Sequence, residues 1–536
     1  MPRRVMCATS GCGAWEVVMA DGGGQRRYRP AGADVNAELG VPLRCGTAAM
    51  SQVLRSVITT SIAMAGAGLI AVAPVPPSGL SGQTRGVLLT GLDADTADTP
   101  LGDGAALMVG ASGIPTPSQG WMNAYDALYL QPRGFTGTLQ AVTTPESLYP
   151  FTFPFSETYD RSVSQGVQNV VDAVDSRIAA GGVDPANPIV ITGWSQGSTV
   201  ASGAMSALAA QGVPSDDVHF VILGDPNTPN GGLLERFDVP NGTDPVTVPS
   251  LGLTFGHPTP SDLYPADVYN MEYDGVADFP RYPINFLSDL NAYFGMAFNH
   301  IAYEGLTPEQ IHDAVQLPVS AGSLTDYYII PSASLPLLDP LRLVPVVGNP
   351  LADLLQPDLR VLVNLGYGSI TNGWSPGDAD VATAMGFLPP QSVLDQVPQA
   401  LLNGLHQGVQ DALKDVLNPA NYQLVSPETM TDVLGPILGT LEKAGDLNDP
   451  SDFFHFLTAE LSGIENWFIQ GFSEVSLTHT GIPPIDMASA LFTTIPNMIG
   501  ELFENELAAG NPVAAVGEPV ALLAGLVPEM LVGSIF

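Results

Sequence analysis

The stretch Pro188 to Ala210, PIVITGWSQGSTVASGAMSALAA, decides how the chain is read. Ile189 to Thr192 is a short run of β-branched residues with the composition of a buried strand. It ends in Gly193-Trp194-Ser195-Gln196-Gly197, and from Ser198 onward small residues continue as a helix. Strand, glycine-flanked serine and helix in that order predict a nucleophile elbow, in which the serine occupies a tight bend where larger neighbours would collide with adjacent backbone. The bend raises the hydroxyl above the sheet at the helix N-terminus. Free N–H groups of the first turn, that of Gln196 included, are then available to stabilise an oxyanion in acyl transfer.

A second match to the same pattern, Gly373-Trp374-Ser375-Pro376-Gly377, follows the polar run Ser369 to Asn372 where an elbow needs a strand. Pro376 also lacks the N–H that the residue after a nucleophile must donate. Ser375 is therefore expected to be a turn residue.

Outward from the elbow, Arg161 to Ala180 places Val163, Val167, Val170, Val171, Val174 and Ile178 at helical spacing, so a helix leads into the elbow strand. Arg85–Gly91, Ala105–Gly110, His219–Gly224 and Val268–Tyr273 read as further strands. Apolar strands alternating with helices predict an α/β fold with a mostly parallel central sheet, helices on both faces. The loop Gly110 to Ser118 follows an early strand, where hydrolases of this architecture carry a second oxyanion donor; Ala111 or Ser112 is the candidate, with Ser112 preferred.

A serine hydroxyl needs a histidine to take its proton and a carboxylate to orient that histidine, and here the chain order is Ser, acid, His. Of seven histidines, His219 lies on a strand, His257 precedes the acid-bearing strand end and His312 sits in a helical stretch. His406, His455 and His479 belong to the distal segment, which leaves His300 as the base. Asp274 and Asp278 flank Gly275 at the end of the Val268–Tyr273 strand. Asp278 is the expected acid, because Gly275-Val276-Ala277 makes a short loop that swings it clear of the strand. Asp274 stands as an alternative acid or as a turn cap, and Asp225 as a third choice. This chemistry calls for no cofactor and no metal.

Composition bounds the partners. Seventeen Lys and Arg stand against 54 Asp and Glu, a formal charge of −37 that repels phosphate backbones and makes nucleic acid an unsuitable partner. Only 13% of residues are charged and 45% are hydrophobic, which suits either a protein working beside lipid or simply one with a large core. Cys7, Cys12 and Cys45 all precede Met50, so the main body can hold no disulfide framework. Residues 1–49 show no sustained periodicity and are expected to be unstructured or a misassigned start. Residues 50–80 carry Arg55, the apolar run Val57 to Ala73 and the small triplet Ala71-Val72-Ala73, so they read as an export signal or membrane anchor.

Several blocks in order, GWSQGS at the elbow, GDPNTPNGG at 224–232, YDGVADFPRYP at 273–283, NHIAY at 299–303, LPLLDPLR at 335–342 and QPDLRVLVNLGYG at 356–368, resemble the PE-PPE domain of mycobacterial proteins. The resemblance covers about residues 105 to 370. It implies a cutinase-like α/β-hydrolase fold and a Ser/Asp/His esterase or acyltransferase, exported to the cell envelope and acting on lipid or other ester substrates. Some members of the family are associated with acyl transfer among trehalose glycolipids, which keeps transferase chemistry open beside hydrolysis. A hydrolase domain is accordingly expected over 81–370. The remainder, 371–536, is expected to be helical, with amphipathic stretches at Val393–Leu417 and from Ser426 onward, serving as a cap, a separate helical domain or a lipid-contacting segment.

Overall fold

The computed structural model of the chain describes residues 100–152, 156–239, 245–418 and 479–533. The expected export segment, the first 49 residues, the strand at Arg85–Gly91 and the helix from Ser426 lie outside the described residues. Seven strands form one sheet: β1 (Ala105–Met108), β2 (Thr138–Ala141), β3 (Ile189–Trp194), β4 (Val218–Leu223), β5 (Ala266–Met271), β6 (Val315–Gln316) and β7 (Thr325–Ile330). Their spatial order is β2-β1-β3-β4-β5-β7-β6, and every neighbouring pair is parallel except the last.

The inner strands are covered on both faces; all six residues of β3 and all six of β5 are buried. Alternate side chains feed two cores. Ile189 and Ile191 join Phe220 and Val268 against Val170, Val174, Val200 and Met205 of the helices α2 (Tyr159–Ala180) and α3 (Gln196–Gln211). Val190, Trp194, Val221, Leu223 and Met271 meet Trp121, Tyr125 and Tyr129 in and beyond α1 (Gln119–Tyr125) on the other face.

The strand order turns at β1. After β1 the chain moves outward to β2, and after β3 it moves the opposite way to β4, so the loops leaving these two neighbours diverge. In open α/β sheets such a switch point leaves a ligand crevice at the carboxyl ends of the strands. The expected elbow and the expected loop Gly110–Ser118 leave the two strands that bound it. This is the α/β-hydrolase fold with a mostly parallel central sheet that the sequence predicts.

The third core contains Phe237, Phe255, Phe279 and Tyr293 together with Met487, Ile495, Met498, Leu522 and Leu526. The latter come from α7 (Pro483–Ser489), α8 (Ile495–Ala508) and α9 (Pro512–Gly533), so these distal helices share a core with the loops around the sheet. Asp486 in α7 accepts a hydrogen bond from Tyr149 Oη at 2.8 Å, and Gly525 in α9 offers its carbonyl to Tyr293 Oη at 2.8 Å. The boundary expected at residue 370 is not where the sheet domain stops. Ala379 is buried in the second core and its N–H donates to the Pro318 carbonyl, while Thr383 accepts from Arg236. The helix expected from Val393 to Leu417 is interrupted: Gln391–Leu394 is one short turn, and a new helix, α6 (Val397–Leu417), starts with Pro398 in its first turn and packs against α5 (Gly348–Asn364).

Candidate active site

Ser195 is the residue between β3 and α3, with φ 56° and ψ −121°, a conformation that side chains other than glycine rarely adopt. It is held there by its neighbours. A Cβ on Gly193 would stand 2.1 Å from the Gly197 carbonyl oxygen, and one on Gly197 would stand 2.1 Å from the Gly110 carbonyl oxygen. Both glycines of the elbow are thus required by close backbone approach, as the sequence predicts. The Ser195 N–H donates to the Leu223 carbonyl at 3.1 Å, which fastens the bend to the adjacent strand.

His300 follows α4 (Phe286–Phe298), a helix that the sequence reading passed over between acid and base. Its Nε2 lies 2.8 Å from Ser195 Oγ and its Nδ1 lies 2.8 Å from Asp274 Oδ2. An ionised carboxylate only accepts, so the proton belongs on Nδ1, and Nε2 is left as the acceptor of the serine hydroxyl. The imidazole is 7% exposed, its backbone carbonyl accepts from Trp194 Nε1 at 3.0 Å, and the Trp194 ring lies 5.9 Å from it. The elbow tryptophan thereby ties the nucleophile strand to the histidine turn.

The carboxylate that meets the imidazole is that of Asp274, and the expectation that Asp278 does so is corrected. Tyr273, two residues past the end of β5, has φ 67°, and the Asp274 N–H donates back to the Met271 carbonyl at 3.1 Å. From there the chain coils instead of swinging outward: the Asp278 N–H donates to the Asp274 carbonyl at 2.6 Å. Asp278 ends up one turn away, accepting from the Tyr273 N–H at 3.1 Å. Burial pushes its carboxyl well above the usual carboxylate range, with the buried Arg236 guanidinium acting in the opposite sense. Gly275 cannot open this coil, because it packs on α4 where a Cβ would stand 2.2 Å from the Ala292 carbonyl oxygen. Asp274 also takes the turn-capping place weighed for it, since Oδ1 accepts the N–H groups of Val276 at 2.9 Å and Ala277 at 3.3 Å.

The third choice, Asp225, is fully buried away from the imidazole nitrogens and accepts from Asn227 N–H and Thr259 Oγ1, and burial lifts it to about 6. Gly224 beside it has φ 57°, and a Cβ there would stand 3.1 Å from His300 Cε1, so the GDPNTPNGG block forms the floor beneath the histidine ring. Ser375 lies in irregular chain that follows no strand, is buried, and accepts from Arg236 Nη2 at 2.7 Å. His219 pairs with Asp267 at 2.8 Å on neighbouring strands.

Gln196 and Ser112, the two expected oxyanion residues, are brought into contact through their side chains. Ser112 Oγ donates to Gln196 Oε1 at 2.7 Å, and Gln196 Nε2 donates to the Ser147 carbonyl at 3.0 Å and to Ser162 Oγ at 2.9 Å. The Gln196 side chain, at 1% exposure, therefore bolts the elbow to the loop after β1 and to the segment around residue 147. Its backbone N–H stands at the first position of α3, where no intrahelical partner exists. One participant escaped sequence reading. Tyr303 Oη donates to Asp274 Oδ2 at 2.7 Å, and the signal was present in the NHIAY block, three residues past the histidine.

Serine hydroxyl, imidazole and carboxylate in this chain can pass the serine proton to nitrogen as the oxygen attacks an electrophilic carbon. Residues 136–368 match the family model of the PE-PPE domain. The chain is 38% identical over 447 residues to an uncharacterised PPE family protein of Mycobacterium tuberculosis, PPE28, covering 81% of this chain and 65% of the relative. It is 39% identical over 340 residues to the esterase PE16 of the same organism, covering 61% of each. It is 31% identical over 239 residues to that organism's SL1278 acyltransferase Chp1, covering 43% of this chain and 54% of the relative. The matched stretches span less than two thirds of the length of these relatives. Coiled strand end, elbow and histidine turn all fall within residues 136–368, the region that is similar to the PE-PPE domain.

Proposed function

We propose that this chain is an exported serine ester hydrolase acting on lipid-like carboxylic esters of short to medium acyl length. The observation that carries the reading is the pair of 2.8 Å contacts linking Ser195 Oγ, the two nitrogens of His300 and Asp274 Oδ2 at a strained elbow. Ser195 Oγ attacks the ester carbonyl while its proton passes to His300 Nε2. The carbonyl oxygen becomes an oxyanion beside the Gln196 N–H and the N–H of Ser112 or Ala111. Collapse breaks the bond to the alcohol oxygen, which leaves with the proton from Nε2, and an acyl-Ser195 remains. Water then gives a proton to His300, attacks the acyl carbon, and the acid departs as Ser195 regains its proton.

A lipid-like substrate suits the apolar composition and the outward row Val513, Val516, Val520 and Leu523 on α9, an uncharged stripe fit for a lipid or membrane surface. Export rests on the segment at 50–80, whose expected role is to direct the chain to the envelope. The acyl-enzyme can also be resolved by a sugar hydroxyl, and the similarity to the diacyltrehalose acyltransferase Chp2 of M. tuberculosis, 31% identical over 208 residues, favours trehalose-type glycolipid acceptors as the second reading. A fluorophosphonate probe tests the core of the proposal: it is expected to label the full chain and not Ser195→Ala. Equal labelling of both removes Ser195, and a folded but unlabelled wild type favours a non-catalytic protein on a hydrolase scaffold. With an activated acyl ester and a trehalose-based acceptor, free acid is the expected main product by mass spectrometry. Dominant acylated acceptor would replace hydrolysis with transfer.

A further inference from the structure

We infer that Tyr303 is a positioning residue of this site, whose hydroxyl sets the charge and orientation of the Asp274 carboxylate offered to His300; the inference rests on the Ser-His-Asp reading above. Asp274 is 0% exposed. A carboxylate taken out of water stays ionised only if hydrogen-bond donors replace its hydration. Four donors converge on it: the N–H groups of Val276 and Ala277 on Oδ1, and His300 Nδ1 and Tyr303 Oη on Oδ2.

The tyrosine contributes a directed donor. Its Oη accepts the Met271 N–H at 2.9 Å, which occupies a lone pair and leaves the hydroxyl hydrogen for Asp274. Burial, together with the Asp274 charge, pushes this hydroxyl well above the usual phenol range, so it remains protonated and donating. The ring itself has no freedom to turn away. Tyr303 is fully buried, its carbonyl accepts from Tyr129 Oη at 2.9 Å, and its Cε2 would stand 3.1 Å from a Cβ on Gly224, as would His300 Cε1. Two rings three residues apart thus pass over one glycine to reach one carboxylate oxygen.

Sharing an acceptor has a consequence for the base. The tyrosine bond withdraws charge from Oδ2, so Asp274 holds the protonated imidazole less tightly than an undivided carboxylate would. His300 is then released more readily as the neutral base that the first step needs.

The test is Tyr303→Phe in the full chain, with the pH profile of kcat/KM as the readout. The expected result is a fall in kcat of about tenfold with KM within about twofold, and an acidic limb moved upward by about half a pH unit or more. Site-specific 3-fluorotyrosine at 303, a stronger donor, is expected to move the limb downward. A purely structural tyrosine changes the melting temperature and moves neither limb. An acidic limb that superimposes on wild type in both variants overturns the inference, and if the phenylalanine variant fails to fold, the fluorotyrosine variant alone decides. Failure of the underlying reading looks different: Ser195→Ala would still take the fluorophosphonate label.

Discussion

Asp274 and Asp278 stand one turn apart, the amide of Asp278 donating to the carbonyl of Asp274 at 2.6 Å, and that single turn sends their carboxylates to different partners. Asp274 meets His300 Nδ1 at 2.8 Å, while Asp278 receives the Tyr273 N–H within the field of Arg236. The two substitutions are therefore expected to separate activity from stability. Asp274→Asn should lose on the order of 10⁴ in kcat, because an amide cannot hold the imidazole in the required tautomer. Asp278→Asn should keep kcat within about tenfold and lower stability by about 1–3 kcal/mol through disturbance of the buried hydrogen bond to the Tyr273 N–H. Steady-state kinetics with melting curves on both variants checks the ranking, and its reversal would return the acid to Asp278.

Ser112 and Gln196 meet through side chains, so their substitutions should differ in kind. Ser112→Ala removes one donor to Gln196 Oε1 and loosens the loop after β1; kcat should fall about tenfold with little change in KM. Gln196→Ala removes all three hydrogen bonds of a buried side chain, and a stability loss of about 2–4 kcal/mol is expected. Denaturant unfolding of the two proteins provides the comparison, and equal midpoints would contradict the bolting role.

Two glycines predict opposite signs for the same substitution. An alanine Cβ at Gly197 meets the Gly110 carbonyl oxygen at 2.1 Å and the Val109 carbonyl oxygen at 3.1 Å, all backbone that cannot yield cheaply. Gly197→Ala should cost more than about 3 kcal/mol or prevent folding. Gly500 in α8 has nothing within 4 Å of the same position, and Gly500→Ala should stabilise by about 0.5–1 kcal/mol through reduced unfolded-state entropy and better helix propensity. Thermal melts of the pair read both signs.

Buried acids set the pH dependence of stability. Burial lifts Glu146 and Glu235 from the ordinary 4.5 to about 8 each, with Thr144 Oγ1 bonded to one Glu146 oxygen and the Asp238 charge adding to the rise at Glu235. The folded state keeps protons that the unfolded state releases, so their stabilisation is fully present below about pH 4.5 and is lost as pH rises toward 8. The melting temperature should fall between pH 5 and pH 8, and Glu146→Gln should flatten that slope, since the amide is neutral throughout. A slope unchanged in Glu146→Gln would place the titration elsewhere.

The elbow was legible because its signals are local. A β-branched run, two glycines and a small-residue helix are one contiguous pattern, and the clashes that demand those glycines arise within a few residues of them or against the next strand. His300 was legible for a different reason: chain order and elimination sufficed, and no contact had to be known. The strands β2, β6 and β7 and the helix α4 do not stand out in the sequence, β2 because TLQA is four residues at a half-exposed edge with little apolar pattern.

The amino-acid sequence by itself determined the α/β architecture, the position of the elbow serine and, by chain order, the histidine that meets it, since strand and helix periods and glycine placement are properties of neighbouring residues. Tertiary structure alone decided which aspartate serves the histidine. That choice depends on the left-handed backbone of Tyr273, whose ring is wedged against Gly373 and Tyr367 about a hundred residues away and whose Oη donates to Asn364. The same holds for Tyr303 and for the Gln196 side chain. Where a side chain points after a turn is settled by what it packs against, and the partners that settle it here are distant in the chain.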